Sequence, residues 1–160
     1  MLVPFESLPE EARIWVYQSN RPFSAEEIQH IAKDLEAFLT QWTAHGSDLQ
    51  AGYELPYNRF IVIGLDQTGA SASGCSIDAS VHFLQALEAK YGVTLLDRMN
   101  VTYKQGEYLA YKSLEEFRKM AKARSVSGKS ILFNNLVANK QAYTQIWEVP
   151  AAESWHSRFF

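Results

Sequence analysis

The chain of 160 residues, 47% hydrophobic and 21% charged, falls in the size range of one globular domain with its own core. A formal net charge of −3 provides no broad positive field for nucleic acid or an anionic membrane, because phosphate recognition relies on clustered Lys and Arg. One cysteine excludes an internal disulfide, and Met1 to Ala12 holds three glutamates and no basic-then-apolar leader, so the expected setting is the cytoplasm.

Taken in chain order, Arg13 to Gln18 is dense in β-branched and aromatic residues and stops at Ser19-Asn20-Arg21-Pro22, which predicts a strand and a turn. Ser24 with Glu27 three residues later forms a capping box, and Phe23 and Ile28 stand at the spacing of a hydrophobic staple. A helix should therefore start at Ala25, burying Ile28, Ile31, Ala32, Leu35, Phe38, Leu39 and Trp42, with Gly46 as its left-handed cap. Tyr53 to Pro56 and Phe60 to Leu65 then read as a hairpin around Tyr57-Asn58-Arg59, in which Pro56 lies at an edge or ends its strand.

A Gly/Ser/Ala loop from Gln67 to Gly74 leads to a second helix. Its apolar face is Ile77, Ser80, Val81, Phe83, Leu84, Leu87 and Tyr91, and Gly92 is its stop. Val101 to Lys104 and Glu107 to Tyr111 predict a second hairpin around Gln105-Gly106. Ser113 with Glu116 reads as another capping box, opening a short helix with Leu114, Phe117, Met120 and Ala121 inside. Ile131-Leu132-Phe133 makes one more strand, and residues 139–160 predict short helical turns and a tail of Trp147, Trp155, Phe159 and Phe160. The order strand, helix, strand, strand, helix, strand matches the split βαβ arrangement. The expected fold is a single α+β domain over residues 1–160: an antiparallel sheet with helices on one face, ferredoxin-like or a near relative, with a C-terminal helical and aromatic extension.

Chemistry concentrates in Ser73-Gly74-Cys75-Ser76-Ile77-Asp78, which contains the one cysteine at the junction of loop and helix. At about 100° per residue, Cys75, Asp78 and His82 share the face opposite the apolar stripe. A helix N-terminus favours a thiolate, and Asp78 could orient the imidazole of His82 four residues on. Against this, Asp78 repels a thiolate, and Ser76 competes with Ser73 as the cap. The plain alternative is a small cysteine and a solvated face at a helix start. His45, in Trp42-Thr43-Ala44-His45-Gly46, is the other candidate partner for Cys75, and is otherwise a histidine at a helix C-cap. Ser73, Gly74 and Ser76 are the candidate ligand-binding residues, since a small-residue loop meeting a helix start suits an anion or carbonyl group.

Ser127-Gly128-Lys129-Ser130 resembles the end of a phosphate-binding loop. It lacks the glycine five residues before Gly128, where Ala123 stands, and a helix precedes it where the motif needs a strand. Arg118, Lys119, Lys122, Arg124 and Lys129 form the basic concentration, read chiefly as a solvated helix end, with an anionic ligand or RNA as the lesser reading. His30, His45, His82 and His156 show no paired ligand spacing, so no metal is expected, and no cofactor. The most apolar run, Phe60 to Leu65, falls far short of the roughly 20 residues of a spanning helix. No nucleic-acid or membrane partner is expected. The aromatic tail either packs back on its own chain or reaches a second subunit, so the chain is expected to be a monomer or a homodimer.

Five strings, Trp42 to Gly46, Tyr57-Asn58-Arg59-Phe60, Ser73 to Asp78, Phe133-Asn134-Asn135-Leu136 and Ser154 to Phe160, resemble a small uncharacterised bacterial family along the whole chain. Members of that family often carry the label ABC transporter ATPase. The phosphate-binding loop which that label requires is incomplete here, and the resemblance implies no catalytic residues. Two functions remain in view: a cytoplasmic binding module that holds a small ligand or protein partner near residues 67–78, or a thiol-dependent enzyme with Cys75 as nucleophile, His82 or His45 as base and Asp78 as orienter.

Overall fold

The computed structural model describes residues 1–160, and the protein is α+β with antiparallel sheets. The chain forms two compact units, one of Met1–Leu96 with Ala138–Gln141, the other of Asp97–Val137 with Ala142–Phe160.

In the first unit, β1 (Arg13–Gln18), β4 (Gln50–Glu54) and β5 (Phe60–Asp66) form a sheet in the order β1-β5-β4, every pair antiparallel. Alternation along the strands sends Tyr17, Ala51, Ile61, Ile63 and Leu65 to one face, where they meet Ile31, Leu35 and Leu39 of α1 (Ala25–Gln41) and Leu84 and Leu87 of α2 (Gly74–Tyr91). Both helices thus cover one face, and these three strands stand in the order that a split βαβ pattern gives. The strand after α2 departs from that pattern: β6 (Asn100–Gln105) belongs to a second sheet.

The opposite face meets the N-terminal segment at two glycines. Gly52 and Gly64 are cross-strand partners. A Cβ on Gly52 would lie 2.6 Å from the Val3 carbonyl oxygen, and one on Gly64 would lie 2.5 Å from Leu8 Cδ1, so hydrogen at both positions is what admits the segment. Before crossing, Val3 N–H donates to Ala51 O at 2.9 Å, extending the β4 edge.

The capping box of α1 forms in both directions: Ser24 Oγ accepts from Glu27 N–H at 3.1 Å and Glu27 Oε1 accepts from Ser24 N–H at 2.9 Å. The Arg21 guanidinium grips the same carboxylate at 2.9 Å through both nitrogens and donates to Tyr91 O at 2.6 Å, joining the start of α1 to the end of α2. That helix stops earlier than expected. Its C-cap is Trp42, and Gly46 is no cap: β2 (Thr43–Ala44) and β3 (Ser47–Asp48) form a tiny hairpin whose two turn residues, His45 and Gly46, have φ of 51° and 78°. Positive φ at both central positions is what a tight hairpin of this kind demands. His45 is accordingly a turn residue rather than a helix-capping histidine.

The second unit is built on the sheet β7-β6-β8-β9, from β6, β7 (Tyr108–Ser113), β8 (Ile131–Phe133) and β9 (Glu148–Pro150). Val101, Tyr103, Leu132 and Val149 pack with Phe117 of α3 (Leu114–Lys122) in its core. Only the forward half of the second capping box is made, Ser113 Oγ accepting from Glu116 N–H at 3.1 Å. Ser127 to Ser130 is a turn between α3 and β8, the reverse of the strand-to-helix order a phosphate-binding loop requires. A short helix, α4 (Lys140–Ile146), precedes Trp147, whose indole N–H donates to Asn135 Oδ1 at 2.9 Å.

The tail packs back within this unit. Its 3-10 turn, Trp155–Phe159, places His156 and Phe159 at 6.2 and 6.1 Å from the Phe117 ring. His156 is 2% exposed. Ser154 Oγ donates to Ala151 O, accepts from the His156 backbone N–H, and lies in hydrogen-bond contact with Nδ1 of the same imidazole at 2.8 Å.

Burial, reinforced by Arg158, pushes the His156 imidazole down to about 4 from an ordinary 6.5. An unfolded chain takes up this proton near pH 6.5 and the folded one only near pH 4, so stability falls as pH drops through that interval, by roughly 3 kcal/mol in all. Glu27, held down to about 2 by the Arg21 hydrogen bond and then by Ser24, sheds its contribution only below its ordinary 4.5. Urea unfolding between pH 6.5 and 4.5 therefore isolates the imidazole. His156→Asn, which cannot titrate there, is expected to flatten the slope in that window, and an unchanged slope would contradict the assignment.

Candidate functional site

The first turn of α2 is settled by its caps. Ser73 Oγ accepts from Ser76 N–H at 3.1 Å, and Ser76 Oγ in turn accepts from Ser73 N–H at 2.7 Å. Ser73 is therefore the cap and Cys75 lies inside the helix, at its second position. Ile77 N–H is taken by Ser73 O. The amides of Gly74 and Cys75 have no protein acceptor, as expected for the opening residues of a helix. A side chain at Gly74 would meet nothing within 4 Å.

Trp42 joins this turn to the end of α1. The indole is 3% exposed, and its Nε1–H donates to Ser76 O at 2.8 Å. Trp15 packs edge-on against it at 5.9 Å and Phe38 at 5.6 Å, while Phe38 stacks on Phe83 at 4.5 Å. Between these elements lies an open cleft of about 530 Å³, walled by Phe38, Gln41 and Trp42 from α1, Thr43 and His45 from the hairpin, and Ser73, Cys75, Ser76 and Ala79 from α2. A shallower groove of about 430 Å³ continues from it between the two helices, sharing Phe38 and Gln41 and reaching Asp34 and Lys90.

The candidates separate on this geometry. Cys75 is an exposed free thiol on the same cleft as His45. Asp78 and His82 are exposed on the outer side of α2, do not line the cleft, and make no hydrogen bond with each other or with Cys75. Ser73 and Ser76 line the cleft, though their hydroxyls are spent on the cap and Ser76 Oγ also donates to Ser73 O at 2.9 Å. What remains free to meet a ligand is the Gly74 and Cys75 amides, the thiol and the imidazole, at the positive end of an 18-residue helix. Trp42 and Phe38 were invisible as site residues in sequence because their periodicity marks them as core, and Gln41 because it belongs to the polar face of α1. The signal for Trp42 is its indole nitrogen, which needs a partner once buried.

No family model, no curated protein and no solved structure matches this chain.

Trp42→Phe retains the ring packing and removes the donor to Ser76 O. The expected cost is about 1–2 kcal/mol in urea unfolding, with faster amide exchange in the first turn of α2. A change within a few tenths of a kcal/mol and unaltered exchange would show that the bond does not pin the cleft.

Proposed function

We propose that the protein is a binding module whose cleft at the start of α2 receives a small anionic or carbonyl ligand, or the equivalent group of a protein partner. One observation supports this most directly: a cleft of about 530 Å³ containing the start of an 18-residue helix whose first two amides have no acceptor. Such amides, with the helix dipole behind them, accept negative charge without rearrangement. The cleft is also walled by aromatic side chains, the mixture of apolar surface and few polar groups typical of small-ligand sites. A single, exposed, free cysteine, with no disulfide framework, is compatible with the reducing cytoplasm.

Small carboxylates such as acetate and succinate, titrated against ¹⁵N-labelled protein, should move the Gly74 and Cys75 amide resonances saturably. Gly74→Val adds a branched side chain beside those amides in otherwise open space and should weaken the effect at least about tenfold, or about 1.4 kcal/mol, with the unfolding midpoint retained. If no carboxylate moves these resonances, or Gly74→Val binds as well, the site is elsewhere.

A second reading has its own support, since Cys75 and His45 line one cleft. In a thiol-dependent enzyme Cys75 would attack and His45 would take the proton, with Asp78 and His82 standing outside the cleft. Under this reading His45→Ala slows iodoacetamide labelling of Cys75 at pH 7 several-fold while His82→Ala does not. Equal rates in all three proteins would remove the enzyme reading and leave binding untouched.

A further inference from the structure

The turn Ser127 to Ser130, which is no phosphate-binding loop, borders an open cavity of about 700 Å³ within the second unit. Ser127, Gly128 and Lys129 line it from the turn, and Pro150, Ala152 and Glu153 line it from the end of β9 and the segment after it. The backbone fastens these two stretches together. Ser130 N–H donates to Ser127 O at 3.0 Å and closes the turn, while Ala151 N–H donates to Ser130 O at 2.8 Å and Ala152 N–H to Gly128 O at 2.9 Å. These bonds continue the pairing of β8 with β9, which ends at Ile131 and Pro150. Lys129 is thus flanked on both sides by residues bonded to the segment that carries Glu153, so the two side chains start from neighbouring backbone and line one cavity.

Both side chains are exposed, and neither makes an ion pair or hydrogen bond, not even with the other. The Gly128 amide, next to Lys129, also has no protein acceptor. The remaining lining from Pro150, Ala152 and Gly128 is small and apolar. A cavity with one positive and one negative group selects its occupant by charge. An anion is drawn to Lys129 and repelled by Glu153, a cation meets the reverse, and a molecule carrying both charges satisfies both groups at once. The volume falls within the range of about 300–1,000 Å³ usual for small-molecule sites.

We infer that this cavity binds a small zwitterion, an apolar amino acid or short peptide, with its carboxylate on Lys129 and the Gly128 amide and its ammonium on Glu153. The apolar body then lies against Pro150 and Ala152. None of these residues lines the cleft at α2, so the test stands apart from the binding role proposed there.

The probes are valine and alanyl-valine, titrated at pH 7 and fixed ionic strength against the intact ¹⁵N-labelled protein. Isovalerate and isobutylamine serve as controls, each carrying one charge on a similar apolar body. The Gly128, Lys129 and Glu153 amide resonances report occupancy. At least one zwitterion should move them saturably and bind at least about tenfold more tightly than either control, and the tighter of the two identifies amino acid or peptide as the source. Lys129→Gln and Glu153→Gln should each weaken zwitterion binding about tenfold. Ala152→Leu, which occupies part of the cavity with no change in charge, should weaken it as well. All three positions are exposed, so the variants should keep the unfolding midpoint. No saturable shift with either zwitterion, equally tight binding of isovalerate or isobutylamine, or unaltered affinity in any of the three variants would overturn the assignment.

Discussion

The indole N–H of Trp42 is the constraint around which the first unit is arranged. A large aromatic ring at the end of α1 gains from burial, yet its single donor would be stranded in the core without an acceptor, at a cost of a few kcal/mol. The acceptor is a backbone carbonyl in the first turn of α2, that of Ser76, and it points correctly only because Ser73 and Ser76 have already locked that turn. The end of one helix and the start of the other are thereby held as a pair, with the small hairpin of β2 and β3 between α1 and β4. At the opposite end of the pair, Arg21 performs the same office between Glu27 and Tyr91 O. Each helix thus has polar ties near both ends, while Leu35, Leu39, Leu84 and Leu87 supply the apolar contact between them and the sheet.

What could be read from sequence was what local physics decides. The start of α1 follows from Ser24, Glu27 and the staple, and the stop of α2 follows from Gly92, which is left-handed at φ 62°. Gly46 was misread for an instructive reason. A left-handed residue after a helical run serves equally as a helix cap or as half of a hairpin turn, and strands of two residues are too short to show any alternation. The strand after α2 was found within a residue of its true bounds, but its partners were not: its hairpin closes locally through Gly106 while its other neighbour is β8, about thirty residues on. Pairing at that distance is a tertiary choice that propensity does not record.

The site shows the same division. Helical geometry placed Cys75, Asp78 and His82 on one exposed face of α2, where they are. It could not show that the cleft opens on the other flank of Cys75, toward His45, because that flank is built from residues some thirty positions earlier. His156 escaped notice for a different reason. An aromatic tail signals burial in general, whereas the pairing of Ser154 with an imidazole two residues on, between Trp155 and Phe159, becomes a structural motif only once Phe117 supplies the surface.

The caps also determine what a ligand at α2 can gain. In many helix starts an incoming anion competes with the capping side chain for the same amides, so binding carries the cost of undoing the cap. Here the box consumes Ser73 N–H and Ser76 N–H internally, and Ile77 N–H is satisfied by Ser73 O. The amides left over at Gly74 and Cys75 belong to residues already held in helical geometry. A ligand that reaches them orders no backbone, and the absence of a side chain at Gly74 leaves the approach open. The same fact limits the affinity. Two neutral donors and a partial helix charge, in a cleft open to water, favour a small group held by modest forces, so any further strength has to come from the Phe38 and Trp42 walls and from His45. Under the proposed binding role, specificity at this site would rest on what the rest of the ligand offers to those aromatic surfaces.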